Sequence, residues 1–426
     1  MIVFTKPFQN PQESPIRALF KHLKRPGMIS FAGGQPGQDI FEALRLKETI
    51  AEALRHAPGR LDYGETQGLP GLRDELAVVM NAQGIHCDGD DIIVTTGSQQ
   101  ALDILLRVFI SPGDTVLVEQ PAYPTTAHAL RLAMADIHAV ETDEQGIRPD
   151  RLRQILSSLS ATGRAPKFLY TVPNFSNPTG VTLSYERRLA VLSLAQRFGL
   201  LIIEDDPYGL LRFTGTAIES MRALSEQTGD ASQRVVYVSS LSKTLAPGIR
   251  IGWMVAPEEI KRRCVIAKQT TDICTPLVCQ EIAESCLKSG MLRRSIPEVI
   301  SLYKGKQERM LACLNDAFGR EIDVVQSDGG IFLWVRWTSD LDTEKLLAHA
   351  VEEGVLYVPG SAFFIGDPDH RCLRLSFSSS TLQEIEEGIA RLARARARLM
   401  KDSVAIDRRG SREAAAERPA SNTLVV

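Results

Sequence analysis

The sequence feature that most restricts the fold is a repeated change of hydrophobic period between Asp91 and Pro257. Short apolar runs rich in β-branched residues alternate there with stretches of helical spacing, such as 99–109 and 185–198. The apolar runs are 92–95, 115–118, 137–140, 168–172, 200–203, 235–238 and 251–255. Buried strands that alternate with helices are typical of a parallel sheet covered on both faces.

The last connection in this region differs from the others. Segment 239–249, between the sixth and seventh runs, is too short for an ordinary crossover helix, so the seventh strand is predicted to run antiparallel. The sequence therefore predicts an α/β fold with a mixed, mostly parallel seven-stranded sheet and helices on both faces.

The remaining chain predicts a second, smaller unit. Helical patterns at 258–288 and 292–318 lead into short strands among helices from about residue 320 onward, which indicates an α+β domain. A short helix is predicted from Ser14 to Leu23. The predicted division is an N-terminal segment joining the small domain (1–45), a large domain (46–290), a small C-terminal domain (291–400) and a polar, alanine-rich, disordered tail (401–426).

Composition narrows the class of ligand. The chain has 426 residues, 44% of them hydrophobic, with 49 basic and 52 acidic side chains, so it can bury a large core and shows no basic surface for nucleic acid or anionic membrane. No run reaches membrane-spanning length. Seven cysteines without paired spacing, and no apolar leader, favour a reducing cytoplasm. No His or Cys group accompanies Cys274 and Cys279 at zinc-like spacing, so no metal is predicted.

The loop after the sixth strand carries the main chemical signal. Lys243 leaves a buried strand there, and burial beside a second cation such as Arg250 lowers a lysine pKa from about 10.4, freeing the amine to form a Schiff base with a carbonyl carbon. The Ser240 and Ser242 hydroxyls and the Arg250 fork suit a phosphate. A phosphorylated aldehyde is pyridoxal phosphate, although an isolated lysine is more often a solvated surface group.

Residues 240–250 read S-x-S-K-x-x-x-P-G-x-R, which resembles the cofactor-lysine motif of fold type I pyridoxal-phosphate enzymes, the aspartate aminotransferase superfamily. Leu241 stands where that motif often has Phe. Residues 63–73 resemble its Y-x-x-x-x-G-x-x-x-L-R segment, and 177–180 its N-P-x-G segment. The resemblance spans about 14–397 and is closest to the 2-aminoadipate and kynurenine aminotransferase branch, through 16–17, 31–36 and 373–377. Glu42 departs from that branch, which usually has Pro there.

Polar residues follow several predicted strands, where ligands bind in open α/β sheets. Gly97, Ser98 and Gln99 open a helix whose free amides suit a phosphate, although alone they form an ordinary turn. Tyr123 can stack on a pyridine ring or belong to the core. Three carboxylates at 204–206 are costly unless a cation binds one of them, and a pyridinium nitrogen is such a cation.

The resemblance implies a role for each candidate residue. Lys243 carries the cofactor, Asp205 keeps the ring nitrogen protonated, and Tyr208 and Asn177 lie at the phenolic oxygen. The phosphate is assigned to Gly97, Ser98, Gln99, Ser240, Ser242 and Arg250, together with Tyr63 of a neighbouring subunit, which implies a homodimer with shared sites. Arg374 holds the substrate α-carboxylate with Asn177 nearby, and Arg17 and Gly34 line the side-chain pocket.

The prediction is a pyridoxal-phosphate-dependent aminotransferase that moves an amino group from an L-amino acid to a 2-oxo acid, either 2-oxoglutarate or pyruvate. A decarboxylase, lyase or oxidase on the same fold is the alternative, because the sequence does not fix which Cα bond breaks. An effector-binding module, as in transcription factors with an aminotransferase-like domain, would need DNA-binding helices that the residues before Ser14 do not supply. The donor amino acid stays open.

Overall fold

A computed structural model describes residues 2–9, 17, 19–55, 62–227 and 234–416. The start of the helix predicted from Ser14 lies outside these residues, and Phe20–Lys24 form a 3₁₀ helix. Within the described chain, no helix combines the length and the apolarity needed to cross a membrane.

The strands of the described chain are numbered in sequence order. They are β1 Ile29–Ser30, β2 Ile92–Thr96, β3 Thr115–Gln120, β4 Asp136–Asp143, β5 Gly146–Ile147, β6 Phe168–Thr171, β7 Leu201–Asp205, β8 Val235–Ser240, β9 Ile251–Val255, β10 Ile322–Val325, β11 Phe332–Trp337, β12 Val355–Leu356, β13 Val358–Pro359 and β14 Cys372–Ser376.

The helices are numbered in the same way. They are α1 Gln38–Ala43, α2 Leu46–Arg55, α3 Pro70–Ala82, α4 Ser98–Phe109, α5 Pro124–Leu132, α6 Pro149–Ala161, α7 Tyr185–Phe198, α8 Met221–Gln227, α9 Glu258–Gln269, α10 Leu277–Lys288, α11 Met291–Phe318, α12 Thr343–Glu353 and α13 Leu382–Ala416.

The large sheet confirms the predicted class and adds one strand. Its order is β2-β9-β8-β7-β6-β3-β4-β5, with β8, β7, β6, β3 and β4 parallel and β9 antiparallel to both neighbours, as the short connection predicted. The prediction of seven strands was wrong by one, because the two-residue β5 pairs with the end of β4 and is too short to have a hydrophobic period.

Alternating strand residues divide the core between the two faces of this sheet. Val116 and Val118 pack in one apolar cluster with α3 and α4, whereas Leu117 packs in a second cluster with α6 and α7. Successive side chains of a strand point to opposite faces, so helices cover both sides of the sheet, as predicted.

A smaller antiparallel sheet has the order β10-β11-β14-β13. The N-terminal segment joins this region, since β1 pairs in parallel with β12 and the Ser376 amide donates to the Phe31 carbonyl at 2.8 Å. Helix α11 is about 42 Å long at ~1.5 Å per residue, long enough to run between the two sheets.

At the C-terminal end, a described helix extends into the predicted tail. Helix α13 continues to Ala416, through the first part of the tail that we predicted to be disordered from residue 401. Alanine and arginine have high helix propensity, which the polar composition obscured. Residues 417–426 lie outside the described chain.

Candidate active site

Lys243 lies in the loop between β8 and β9, where its ammonium nitrogen donates a hydrogen bond to the Gly34 carbonyl at 2.8 Å. Burial and the neighbouring Arg374 and Arg250 guanidinium groups together lower the pKa of Lys243 to about 8, against the opposing effect of Asp205. The sequence predicted Arg250 as the neighbouring cation. It did not predict that Arg374, assigned there to the substrate carboxylate, also lies near Lys243 and has the larger influence on its pKa.

Arg250 brings the lysine loop against the start of α4. Its backbone is left-handed, with φ 54°, and its Nη2 donates to the Thr96 carbonyl at 3.0 Å. Gly97 has φ 77°, and a Cβ there would lie 2.2 Å from Arg250 Nη2. Ser98 begins α4, so its helical amides open beside the guanidinium.

Hydroxyl groups complete a polar cup, the name used here for the group Gly97, Ser98, Gln99, Ser240, Ser242 and Arg250. The Ser240 hydroxyl donates to Ser242 Oγ at 2.9 Å, and Arg250 Nη1 lies 3.4 Å from the same Ser242 oxygen. Gln99 is the second residue of α4. The predicted phosphate residues of the chain therefore gather at the carboxyl ends of β2 and β8.

Asp205 ends β7 and is buried. One of its oxygens, Oδ2, accepts a hydrogen bond from the Tyr170 hydroxyl at 2.5 Å, and the other, Oδ1, has no hydrogen-bond partner among the described residues. Burial raises the pKa of Asp205 to about 7, while the Tyr170 bond favours the ionised form. A buried carboxylate with a free oxygen is suited to a cationic partner.

Asn177, Tyr208 and Arg374 form a second buried group beside the lysine. Arg374 Nη1 donates to Asn177 Oδ1 at 2.7 Å, and Nη2 donates to the Ala32 carbonyl. Burial raises the pKa of Tyr208 above its ordinary value. Segment 32–34 thus accepts hydrogen bonds from both Arg374 and Lys243 through its backbone.

Arg374 lies in an aromatic frame. Its guanidinium carbon is 4.2 Å from the centroid of the Phe332 ring and 5.1 Å from that of Phe363. Burial lowers its pKa to about 10, and its Nε has no hydrogen-bond partner within the described chain. A buried cation with an unused donor is a ready site for an anionic ligand group.

The other predicted site residues have different surroundings. Tyr123 precedes α5 and is close enough to Tyr208 to influence its pKa. Tyr63 is exposed, with 78% of its surface accessible. Arg17 is exposed, and its guanidinium carbon lies 5.7 Å from the centroid of the Phe20 ring. This contact does not join Arg17 to Lys243 or Arg374.

Sequence reasoning missed the residues that support the site from behind. Besides Tyr170, Glu119 accepts hydrogen bonds from the Ser176 hydroxyl at 2.8 Å and the Val172 amide at 3.1 Å, which fixes the loop before Asn177. A carboxylate directly after the predicted strand 115–118, together with a serine next to the N-P-x-G segment, was the available signal.

The family profile of aminotransferases of class I and II matches residues 26–392. The chain belongs to the class I and II aminotransferases. Members of this family use pyridoxal phosphate, so this aminotransferase carries out transamination with that cofactor. The aminotransferase relatives reported next support transamination over the decarboxylase, lyase and oxidase alternatives.

Individual relatives align with this chain over most of their length. The aminotransferase is 38% identical to aromatic-amino-acid aminotransferase 1 of Thermococcus litoralis, over 89% of this chain and 90% of the relative. It is 35% identical to the 2-aminoadipate transaminase of Thermus thermophilus, over 90% and 94%. The crystal structure of Pyrococcus horikoshii kynurenine aminotransferase superposes with a TM-score of 0.85 at 36% identity, covering 92% and 96%.

Proposed function

We propose that this aminotransferase binds pyridoxal phosphate on Lys243, with the ring nitrogen against Asp205 and the phosphate in the cup formed by Gly97, Ser98, Gln99, Ser240, Ser242 and Arg250. The observation that carries the proposal is the buried Asp205 oxygen that has no hydrogen-bond partner in the described chain, on a carboxylate close enough to Lys243 to influence the pKa of that lysine. Tyr123 would stack on the ring, and Tyr208 and Asn177 would bond the phenolic oxygen.

The residues fit pyridoxal phosphate on two counts, and a third feature suits its substrate. Asp205 Oδ1 is a buried acceptor without a hydrogen-bond partner in the described chain, so it can accept a hydrogen bond from a cationic ring nitrogen. Gly97 leaves open the space beside Arg250 that any side chain would fill. Arg374 Nε is a buried donor without a partner in the described chain, suited to a substrate carboxylate.

When bound, pyridoxal phosphate supplies an aldehyde carbon that binds amines and a protonated ring that accepts the electrons of the substrate Cα–H bond. Asp205 holds the ring proton in place. Arg374 orients the amino acid through its carboxylate. Lys243, once the amine of the incoming amino acid has taken its place, would accept the Cα proton on its free amine nitrogen and deliver it to the cofactor carbon; its lowered pKa of about 8 leaves part of that amine unprotonated at neutral pH.

The substrates follow from the family and from the relatives' names. We propose an L-amino acid with a long side chain as donor, in the class of 2-aminoadipate, kynurenine and the aromatic amino acids, and 2-oxoglutarate or pyruvate as acceptor. Arg17 and Gly34 would line the side-chain pocket, where the Arg17 charge favours an acidic group. A panel of donors with each acceptor, scored by the new amino acid and oxo acid, tests this proposal.

The cofactor linkage is tested by borohydride reduction. The purified enzyme should be yellow, and reduction should fix the chromophore on the peptide that contains Lys243. Lys243→Ala should abolish multiple turnovers. Label trapped on another lysine, or sustained turnover by that variant, would contradict the assignment.

We further propose a homodimer in which Tyr63 reaches the phosphate of the partner subunit. Its exposure supports this role, since a tyrosine with 78% of its surface accessible buries little in its own subunit. Mixed dimers of Tyr63→Phe and Lys243→Ala subunits test it, because only the hybrid has one intact site. Random mixing should give about a quarter of wild-type sites. Activity no greater than that of the two separate variants would exclude shared sites.

A cytoplasmic location and the four-part division of the chain stay proposals. The seven unpaired cysteines support a reducing compartment. The separate sheets, with β1 paired to β12, support an N-terminal segment that joins the small domain.

A further inference from the structure

The Tyr170 hydroxyl is a polar group in the middle of the apolar strand β6. Tyr170 is 1% exposed and packs in the main core cluster, where a phenylalanine would fill nearly the same volume. Burying a hydroxyl is unfavourable unless it is hydrogen-bonded. Its presence is therefore explained by the bond it makes and not by packing.

The strand register brings that hydroxyl to Asp205. Tyr170 pairs with Ile203 of β7, and Asp205 lies two residues further along the same strand. Side chains two residues apart on a strand point to the same face. The phenol therefore reaches over Ile203, and its oxygen lies 2.5 Å from Asp205 Oδ2.

The two oxygens of the Asp205 carboxylate have different surroundings. Oδ2 is held by Tyr170, whereas Oδ1 is buried with no hydrogen-bond partner in the part of the chain that the structure describes. We infer that Tyr170 is a positioning residue, which fixes Asp205 through one oxygen so that the other faces the ring nitrogen of pyridoxal phosphate. This inference rests on the proposed role of Asp205.

The charges around Asp205 give the hydroxyl an electrostatic role as well. Burial, with a smaller contribution from Asp206, raises the pKa of Asp205 to about 7, although the Tyr170 bond and the Lys243 ammonium favour the ionised carboxylate. A protonated Asp205 would not hold a proton on a ring nitrogen. The hydroxyl thus favours the state of Asp205 that the cofactor requires.

Tyr237 offers a matched control on the neighbouring strand β8. It is also 1% exposed, and its hydroxyl lies 3.3 Å from Asp206 Oδ2. Tyr237→Phe removes the same atom from the same kind of environment, one carboxylate away from Asp205. A general effect of losing a buried tyrosine hydroxyl would therefore appear in both variants.

The test uses the holoenzyme reconstituted with pyridoxal phosphate labelled with ¹⁵N in the ring. The ¹⁵N chemical shift reports whether the ring nitrogen is protonated, independently of turnover. In wild type and Tyr237→Phe the protonated signal is expected at neutral pH. In Tyr170→Phe it should move toward the unprotonated position, with cofactor affinity lowered about tenfold, as expected for losing a hydrogen bond to a charged group.

Tyr170→His keeps a ring donor and should recover part of the protonated signal. If Tyr170→Phe does not fold, the His variant carries the comparison, and a folded His variant with an unprotonated ring nitrogen would overturn the inference. So would a wild-type signal in Tyr170→Phe, or equal changes in Tyr170→Phe and Tyr237→Phe. Failure of the wild-type enzyme to bind the cofactor on Lys243 would instead refute the proposed function.

Discussion

At the scale of single residues, the site depends on buried charges that have one free atom each. Asp205 keeps Oδ1 and Arg374 keeps Nε without partners in the described chain, while their other polar atoms are fixed by neighbours. A buried unsatisfied atom costs free energy in the unliganded protein. Binding a ligand of opposite charge recovers that cost, which is how the arrangement favours the ligand.

Arg374→Lys should raise KM for the amino-acid donor about tenfold or more, because a planar fork of donors is replaced by a single ammonium. Steady-state kinetics at saturating oxo acid measure the change. Arg336→Lys is the control, since Arg336 lies on the adjacent strand β11 and pairs with Asp369 at 2.9 Å. Similar kinetics for the two variants would contradict a carboxylate-binding role for Arg374.

At the scale of elements, backbone geometry brings together the residues proposed to bind the phosphate. Gly97 must adopt a positive φ between β2 and α4, and Gly252 on β9 must lack a side chain, because its Cβ would lie 2.5 Å from the Gly97 carbonyl carbon. The turn, the helix start and the antiparallel strand therefore fit together only without side chains at these positions.

Gly97→Ala should weaken cofactor binding, because the new methyl group occupies the position of the Arg250 guanidinium. Gly113→Ala is a matched control: Gly113 has φ 89°, but a Cβ there meets nothing within 4 Å. Both changes should cost about 1 kcal/mol of unfolding free energy from backbone strain. Only Gly97→Ala should lower affinity in a fluorescence titration with pyridoxal phosphate, and equal affinities would refute the assignment of this turn.

The start of α4 is also held by a buried ion pair. Lys268 on α9 has a fully buried side chain and donates to Asp272 Oδ1 at 2.7 Å, and Asp272 Oδ2 accepts from Gln100 Nε2 at 2.7 Å. Gln100 in turn accepts from the Thr96 amide at 2.7 Å. This network links α9 to the turn that contains Gly97.

Asp272→Ala should destabilise the apoenzyme by about 3 kcal/mol, because it leaves the Lys268 charge buried without a carboxylate. Lys268→Met should cost less, about 1 to 2 kcal/mol, since the Asp272 side chain is 24% exposed and water can solvate it. Urea unfolding of both variants measures the difference. A larger loss for Lys268→Met would contradict this argument, because it would show that an unpaired Asp272 costs more free energy than an unpaired Lys268.

Much of this could be predicted from the sequence, and the omissions have physical reasons. Strand runs and the lysine loop are local patterns, so the seven long strands, the antiparallel β9 and the family motifs could be identified. The Tyr170 to Asp205 bond joins two strands and depends on register, which an apolar run does not reveal. Arg374 was identified by its motif, but its influence on the Lys243 pKa depends on a distance across the fold.

At the scale of the whole molecule, the large sheet carries several buried carboxyl groups at the carboxyl ends of its strands. Burial raises the pKa of Glu119, Glu204 and Asp205 to about 7 each. Each of these groups binds more protons in the folded protein than in the unfolded chain between its ordinary pKa and about pH 7. Folding stability contributed by them therefore falls as pH rises through that window, and is constant above it.

Glu119→Gln should flatten this dependence. The unfolding free energy of the wild-type apoenzyme should fall as the pH rises from about 5 to about 7. In the variant this slope should be smaller by up to about 1.4 kcal/mol per pH unit, which is the contribution of one proton. Urea titrations at several pH values measure both slopes. Identical slopes would mean that Glu119 is ionised in the fold at the same pH as in the unfolded chain.

In the described chain, the Gly34 carbonyl takes a hydrogen bond from the Lys243 side chain. The Gly34 oxygen accepts from Lys243 Nζ, so whenever that nitrogen is engaged in bonding a carbon or carrying a proton elsewhere, the oxygen loses its donor. Gly34 is only partly covered, and an incoming amine or a water molecule can replace the lysine there. If Lys243 acts as proposed, this backbone acceptor next to the first strand would lose its donor when the lysine nitrogen leaves and regain it when the nitrogen returns.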